Sequence, residues 1–510
     1  MKRTGVVNCD VITLDKGERA GAVLIEGNEI ALVSDSEKSV LSKLRPGDRS
    51  FDLDGRTVIP GFIDSHTHIS TVGMMELGVD LSDARSKEDV ITIIKGKARK
   101  VRTKGWLYAR GWDESAWRGE YVTKDDLDRA SMDRCVVAVR VCGHLAAVNS
   151  RALAEVKGAL DGHEGFYDLR TGILKEDAVG VATRRAYESE GTITRAIAAG
   201  QQKALTLGVT SVHDIVDVRR MRAYYELFRE NQLAIRTYMN LEEVDARGLA
   251  GSGMRTGYGN EWLRIGGVKT YMDGSIGART AALCEPYADD PGNCGSLLVP
   301  KKKLRAMVER FSSRQFQLAI HAIGDRAVGE LVEALSGAKT VKGYAHRVEH
   351  AEMISGRGIA IAERHNIALS MQPNFIGQWG QKGGMYERRL GKGRTSLMNP
   401  FRKIADAGVT LTFGSDCMPL DPLYGIRSAV DAPYACQRLK PIEALMAYTR
   451  AGAALSGESG IKGKISKGML ADLVVLSHDP LKNLSRTKVD ATIVDGTVVW
   501  ERMKVKKRKT

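Results

Sequence analysis

The 510-residue chain contains no apolar run approaching the ~18 residues needed to cross a bilayer, and no membrane partner is expected. Its opening residues, MKRTGVVNCDVITLD, lack the apolar stretch of about 7–15 residues that marks a secretory signal, so the expected location is cytoplasmic. Cysteine is sparse. The seven residues (9, 135, 142, 284, 294, 417 and 436) include no CxxC pair and no dense framework, which fits reduced, structural thiols. Internal repeats and low-complexity segments are missing as well. A formal net charge of +14 would suit an acidic partner, yet no helix-turn-helix, zinc-finger or RNP-type motif accompanies it. Part of the excess sits at the end of the chain, in Lys504, Lys506, Lys507, Arg508 and Lys509, which reads as a solvated tail rather than a nucleic-acid arm.

What is present is an ordinary globular balance, 43% hydrophobic and 27% charged, able to build a sizeable core. The length suits one α/β barrel of about 250 residues with additions. Residues 5–57 read as short strands separated by Gly, Asp and Asn turns, and GKISKGMLADLVVLS and ATIVDGTVVWE near the C-terminus have the same character. The two ends are expected to pair as a small β-sandwich, 1–57 with 463–510. Between them, apolar runs alternate with helix-like segments, the pattern of parallel βαβ units. Eight runs count as barrel strands: 57–64, 209–214, 235–240, 265–274, 317–325, 344–351, 367–373 and 409–416. The fold predicted is a TIM (β/α)8 barrel over 58–462. An inserted subdomain, 75–195, fills the long interval after strand one.

The chemistry-bearing residues fall at strand ends. His66 and His68, in DSHTH, are two apart, so strand periodicity points both the same way, toward a shared metal ion. Lys269 ends strand four, His321 strand five, His350 strand six and Asp416 strand eight. Active sites on this fold form where the C-terminal strand ends converge, so six metal-capable side chains are predicted at one mouth. Singly, each histidine could be a satisfied core residue and Asp416 a helix cap.

A strand series ending in HxH, Lys, His, His and Asp resembles the amidohydrolase superfamily, in its binuclear type with a carboxylated strand-four lysine. PGFIDSHTH, GVTSVHD, VKTYMDGSIGART, HAIGDRA, RVEHAE, SMQP, FGSD and ADLVVL are similar in order and spacing to the YtcJ-like branch, amidohydrolase family 3, whose members include enzymes like N-substituted formamide deformylase. The likeness spans essentially the whole chain. It implies one metal on His66, His68 and Asp416, a second on His321 and His350, and Lys269 bridging both as a carbamate. One or two zinc ions per chain are expected. The alternative for Lys269 is a salt bridge to Asp273 or Asp416 and a single metal. Divalent cations acidify bound water and polarise carbonyls. Asp416 would take the proton of that water and deliver it to the leaving nitrogen. The expected reaction is hydrolysis of a non-peptide amide-type C–N bond in an N-acyl or N-formyl small molecule.

The inserted subdomain covers the barrel mouth in this branch, which makes His144, Glu176 and Trp112 candidates for binding substrate. Asp273, Arg279 and Gln372, on strand-end loops, are further candidates, against a structural ion pair for the first two. His213 is expected either to support the site from behind or to contact substrate, and His346 to be packed deeper in the barrel. Other readings are a deaminase or cyclic amidase of the same superfamily, against which Lys269 argues, and a catalytically silent regulatory or binding protein, against which the intact ligand set argues. A homodimer is the default assembly for a soluble enzyme.

Overall fold

Runs such as VTSVHDIV and LRIGGVKTY are buried along nearly their whole length, as strands are when helices cover one side of a sheet and a packed interior the other. In the computed structural model, which describes residues 2–100, 105–114, 117, 120–140, 145–175, 177–187, 190–502 and 506–509, eight such runs form one parallel sheet. They are β1 (Phe62–Thr67), β2 (Val209–Val216), β3 (Arg236–Glu242), β4 (Leu263–Tyr271), β5 (Leu318–Ala322), β6 (Arg347–His350), β7 (Ala368–Met371) and β8 (Leu411–Phe413), paired in that order. Helices return the chain between strands, among them Val218–Arg229, Lys301–Ser312, Asp325–Leu335 and Gly356–Arg364. Side chains cap several of them: Asp217 accepts from the Arg220 N–H and Ser355 from the Gly358 N–H.

The sheet is a nearly closed barrel. Its first and last strands are joined by side chains and strand ends: Ser65 Oγ donates to the Phe413 carbonyl over 2.7 Å, and Asp64 Oδ1 accepts the Ser415 N–H over 3.0 Å. The Asp416 N–H donates to the His66 carbonyl over 2.8 Å. This approach needs glycine, since a Cβ on Gly414 would lie 2.4 Å from the His66 nitrogen.

Strand one departs from expectation. Residues 57–60 belong to the strand Arg49–Pro60 of a separate sheet, and the barrel strand begins at Phe62. The chain passes from one sheet to the other at Gly61, where a Cβ would sit 2.1 Å from Thr210 Oγ1. That second sheet has nine strands drawn from both chain ends. Thr497–Glu501, Val489–Val494, Leu473–Leu476, Arg49–Pro60, Arg3–Ile12, Ala22–Glu26 and Glu29–Ser34 follow one another in it. Lys506–Lys509 pairs antiparallel with Arg49–Asp52. Four residues of the basic end of the chain thus pair as a sheet strand, since backbone pairing on an open edge does not depend on side-chain charge.

Residues Ile69–Lys203 form a second compact unit. Its six-stranded sheet runs Tyr167–Asp168, Ile173–Lys175, Leu145–Val148, Val136–Arg140, Leu107–Trp112, Val79–Asp80, with its own apolar cores around Val137 and Trp112. Among the described residues, no helix is long and apolar enough to cross a membrane.

Candidate metal centre

His66 lies within β1 and His68 one residue past its end; Lys269 is in β4, His321 in β5, His350 closes β6, and Asp416 follows β8. The strand ends bring them together. His66, His68 and Asp416 each present a ligand atom within 4.8 Å of the others. His68 Nε2 is 3.2 Å and His66 Nε2 3.8 Å from Asp416 Oδ1. The His350 ring centroid is 4.7 Å from that of His66 and 4.4 Å from that of His321. Backbone conformation helps aim these groups, since His350 (φ 70°) and Asp416 (φ 48°) both adopt the left-handed region. For non-glycine residues this costs about 1–3 kcal/mol each, a strain concentrated at functional sites.

Hydrogen bonds decide which imidazole nitrogen is free. His66 Nδ1 meets the Glu349 carboxylate, which can only accept, so Nδ1 carries the proton and Nε2 keeps its lone pair toward Asp416. His350 Nδ1 donates to Gln372 Oε1 over 2.6 Å, which again leaves Nε2. In His321 the order is reversed: Nε2 donates to the Gly274 carbonyl over 3.0 Å, and Nδ1 is the free nitrogen. Burial lowers the pKa of all three, that of His321 to about 3, so they stand as neutral ligands. Burial opposes the charge of Asp416, but the His68 hydrogen bond, with the Lys269 ammonium nearby, outweighs it and holds the carboxyl below its ordinary range.

This donor set fits a divalent cation. Neutral His66, His321 and His350 are each held at one ring nitrogen by a partner that leaves the other available, and the ionised Asp416 carboxylate lies against His66 and His68. Lys269 is the exception. It is 1% exposed, with Nζ 4.5 Å from the Tyr271 ring centroid. Burial pushes its pKa down to about 8 against the pull of Glu349, Asp416 and Glu242. An ammonium there repels a cation, whereas its neutral form is the one that reacts with carbon dioxide.

The other sequence candidates scatter. Gln372 is buried and orients His350. Asp273, expected at the substrate, is consumed by the backbone: its carboxylate accepts the N–H groups of Ala282, Ile323 and Gly324 over 2.9–3.0 Å, clamping loops after β4 and β5. Arg279 forms a two-pronged, partly exposed pair with Asp289, not with Asp273. Trp112 is fully buried in the Ile69–Lys203 unit, its indole N–H donating 3.0 Å to the Ala138 carbonyl. His144 and Glu176 lie outside the described residues. His346 is bound on both ring nitrogens, accepting from the Leu318 N–H and donating to the Lys339 carbonyl.

Sequence reasoning missed Arg347, Glu349 and Glu242. Arg347 and Glu349 are buried and alternate along β6, a signal present in RVEH because charges two apart on an interior strand must face partners. Glu242 ends β3, near enough for Lys269 and His68 to oppose the rise that burial imposes on its pKa, and accepts from the Tyr271 hydroxyl over 3.3 Å.

Comparison with known proteins agrees with this geometry. Residues 49–500 match the model of the "Amidohydrolase family". The chain is 29% identical to the putative amidohydrolase YtcJ of Bacillus subtilis, over 96% of this chain and 97% of that one. It is 27% identical to N-substituted formamide deformylase of Arthrobacter pascens, over 98% and 99%. Among solved structures, an uncharacterised metal-dependent hydrolase from Pyrococcus furiosus superposes with a TM-score of 0.83 at 28% identity, covering 94% of this chain and 100% of that one. With its strand-end residues in the order the motifs predicted, the chain belongs to the amidohydrolase family, in its YtcJ-like branch.

Proposed function

We propose that the protein is a metal-dependent hydrolase of a non-peptide amide-type C–N bond in a small molecule. The observation that carries this reading is the convergence of His66, His68 and Asp416, with neutral His321 and His350 alongside. His66, His68 and Asp416 would hold one ion and His321 and His350 a second, with zinc the favoured metal. Lys269, carbamylated by carbon dioxide with loss of a proton, would offer oxygens to both. A divalent cation held there supplies Lewis acidity, polarising a carbonyl and lowering the pKa of water.

Asp416 provides the proton relay. Held as a carboxylate by the His68 hydrogen bond, it accepts a proton from the attacking water and passes it to the leaving nitrogen. Water adds to the carbonyl carbon, the C–N bond breaks, and acid and amine leave. The deformylase relative makes N-formyl and N-acyl amines the first compounds to try. Screening zinc-loaded protein against N-formyl, N-acyl and cyclic amides tests the reading: turnover of the open-chain amides supports it, and preferential release of ammonia from a cyclic or aromatic amine would replace it with a deaminase.

A further inference from the structure

Beneath the candidate metal centre lies a chain of buried polar groups that no ligand assignment uses. His66 Nδ1–H donates to the carboxylate of Glu349. Arg347 grips the same carboxylate with Nε and Nη2, the latter over 3.0 Å. The guanidinium is itself fixed: Nη2 also donates to the Ser65 carbonyl and, over 2.9 Å, to Ser370 Oγ, while Nη1 donates over 3.0 Å to His213 Nδ1. Arginine can only donate, so His213 is neutral with its proton on Nε2. All these groups are under 3% exposed, and they come from β1, β2, β6 and β7.

A buried arginine–carboxylate pair is, taken alone, poor evidence of purpose, because desolvation offsets most of its attraction. Here its orientation is informative. Arg347 engages both oxygens of Glu349, Nε on Oε1 and Nη2 on Oε2, and Oε2 accepts in addition from the imidazole whose other nitrogen faces Asp416. An anionic acceptor behind a histidine fixes the ring's tautomer and rotation and makes the free nitrogen a stronger donor. We infer that Glu349 is a positioning residue for the metal centre: it acts through His66, and Arg347, braced by Ser65, Ser370 and His213, holds it in place. The inference rests on the metal-site reading above.

The test compares Glu349→Gln with Arg236→Ala, which breaks buried contacts to Asp472 and Asp495 and touches neither Glu349 nor a ligand candidate. Cobalt(II) affinity by chelator competition, the visible spectrum of the cobalt-loaded protein, and the melting temperature of the metal-free protein are measured for each. The expected result is that E349Q weakens affinity about 10- to 100-fold and alters the cobalt spectrum. R236A should lower the melting temperature while leaving affinity within about twofold and the spectrum unchanged. Should E349Q not fold, Glu349→Asp keeps the charge and shortens the reach by one methylene, and a smaller loss with a shifted spectrum is expected. Unchanged affinity and spectrum in the folded Glu349 variant, or losses of affinity that merely follow melting temperature across both variants, would overturn the inference. Wild-type protein that takes up no cobalt would instead sink the metal reading on which it rests.

Discussion

Asp416 shows how much one side chain can be asked to do. Its backbone N–H ties β8 to β1 through the His66 carbonyl, its φ of 48° turns the carboxylate inward, and that carboxylate faces two histidines. Because the ligand role needs only an oxygen while the proton relay needs a charge, the two can be separated. Asp416→Asn should retain most of its metal yet lose about 10²- to 10⁴-fold in kcat. Metal analysis beside single-turnover kinetics checks this, and a fully active variant refutes the relay. The ligand candidates could be read in the sequence because a histidine or aspartate ending an apolar run has few other reasons to be there. The partners could not: Gln372, Glu349 and Arg347 matter through contacts across strands, 22 residues apart for Gln372 with His350 and 283 for Glu349 with His66. The partners of Asp273 were hidden for the same reason: they are three backbone N–H groups that follow β4 and β5.

At the scale of elements, the centre depends on β1 and β8 lying close enough to place Asp416 against His66. Gly414 permits this. Its substitution by alanine drives a methyl into the His66 backbone, a clash costing about 1–3 kcal/mol if the strands part. Gly414→Ala should therefore lower the melting temperature of the metal-free protein and weaken metal binding together; an unchanged melting curve would show that the strands tolerate separation. Existence and order of the eight strands were legible, because buried parallel strands leave continuous apolar runs. Bounds were less so. TVIPGFID reads as one strand, yet it serves two sheets, since Pro60-Gly61 lets the chain cross between them without a polar turn.

For the molecule as a whole, a buried cluster helps fasten the sheet of chain ends to the barrel. Arg236, opening β3, donates to both oxygens of Asp472 over 2.6 and 3.1 Å and to Asp495 over 3.0 Å, with its guanidinium 4.5 Å from the Trp262 ring centroid. Removing it strands two carboxylates, one of them almost fully buried, so Arg236→Ala should cost about 3–5 kcal/mol in denaturant unfolding. A loss below about 1 kcal/mol would mean that the ends are held elsewhere. That the termini meet could be anticipated from their shared strand character, whereas Lys506–Lys509 pairing with Arg49–Asp52 could not, since charge alone suggested solvent. The central claim is that hydrolysis depends on metal held at His66, His68 and Asp416. Its most direct measurement is turnover of N-formyl and N-acyl amines by one preparation as isolated, after dialysis against chelator, and after zinc is returned, with His68→Ala alongside. The account predicts activity lost with the metal and regained with zinc in the wild type but not in the variant; full activity in the chelated protein would contradict it.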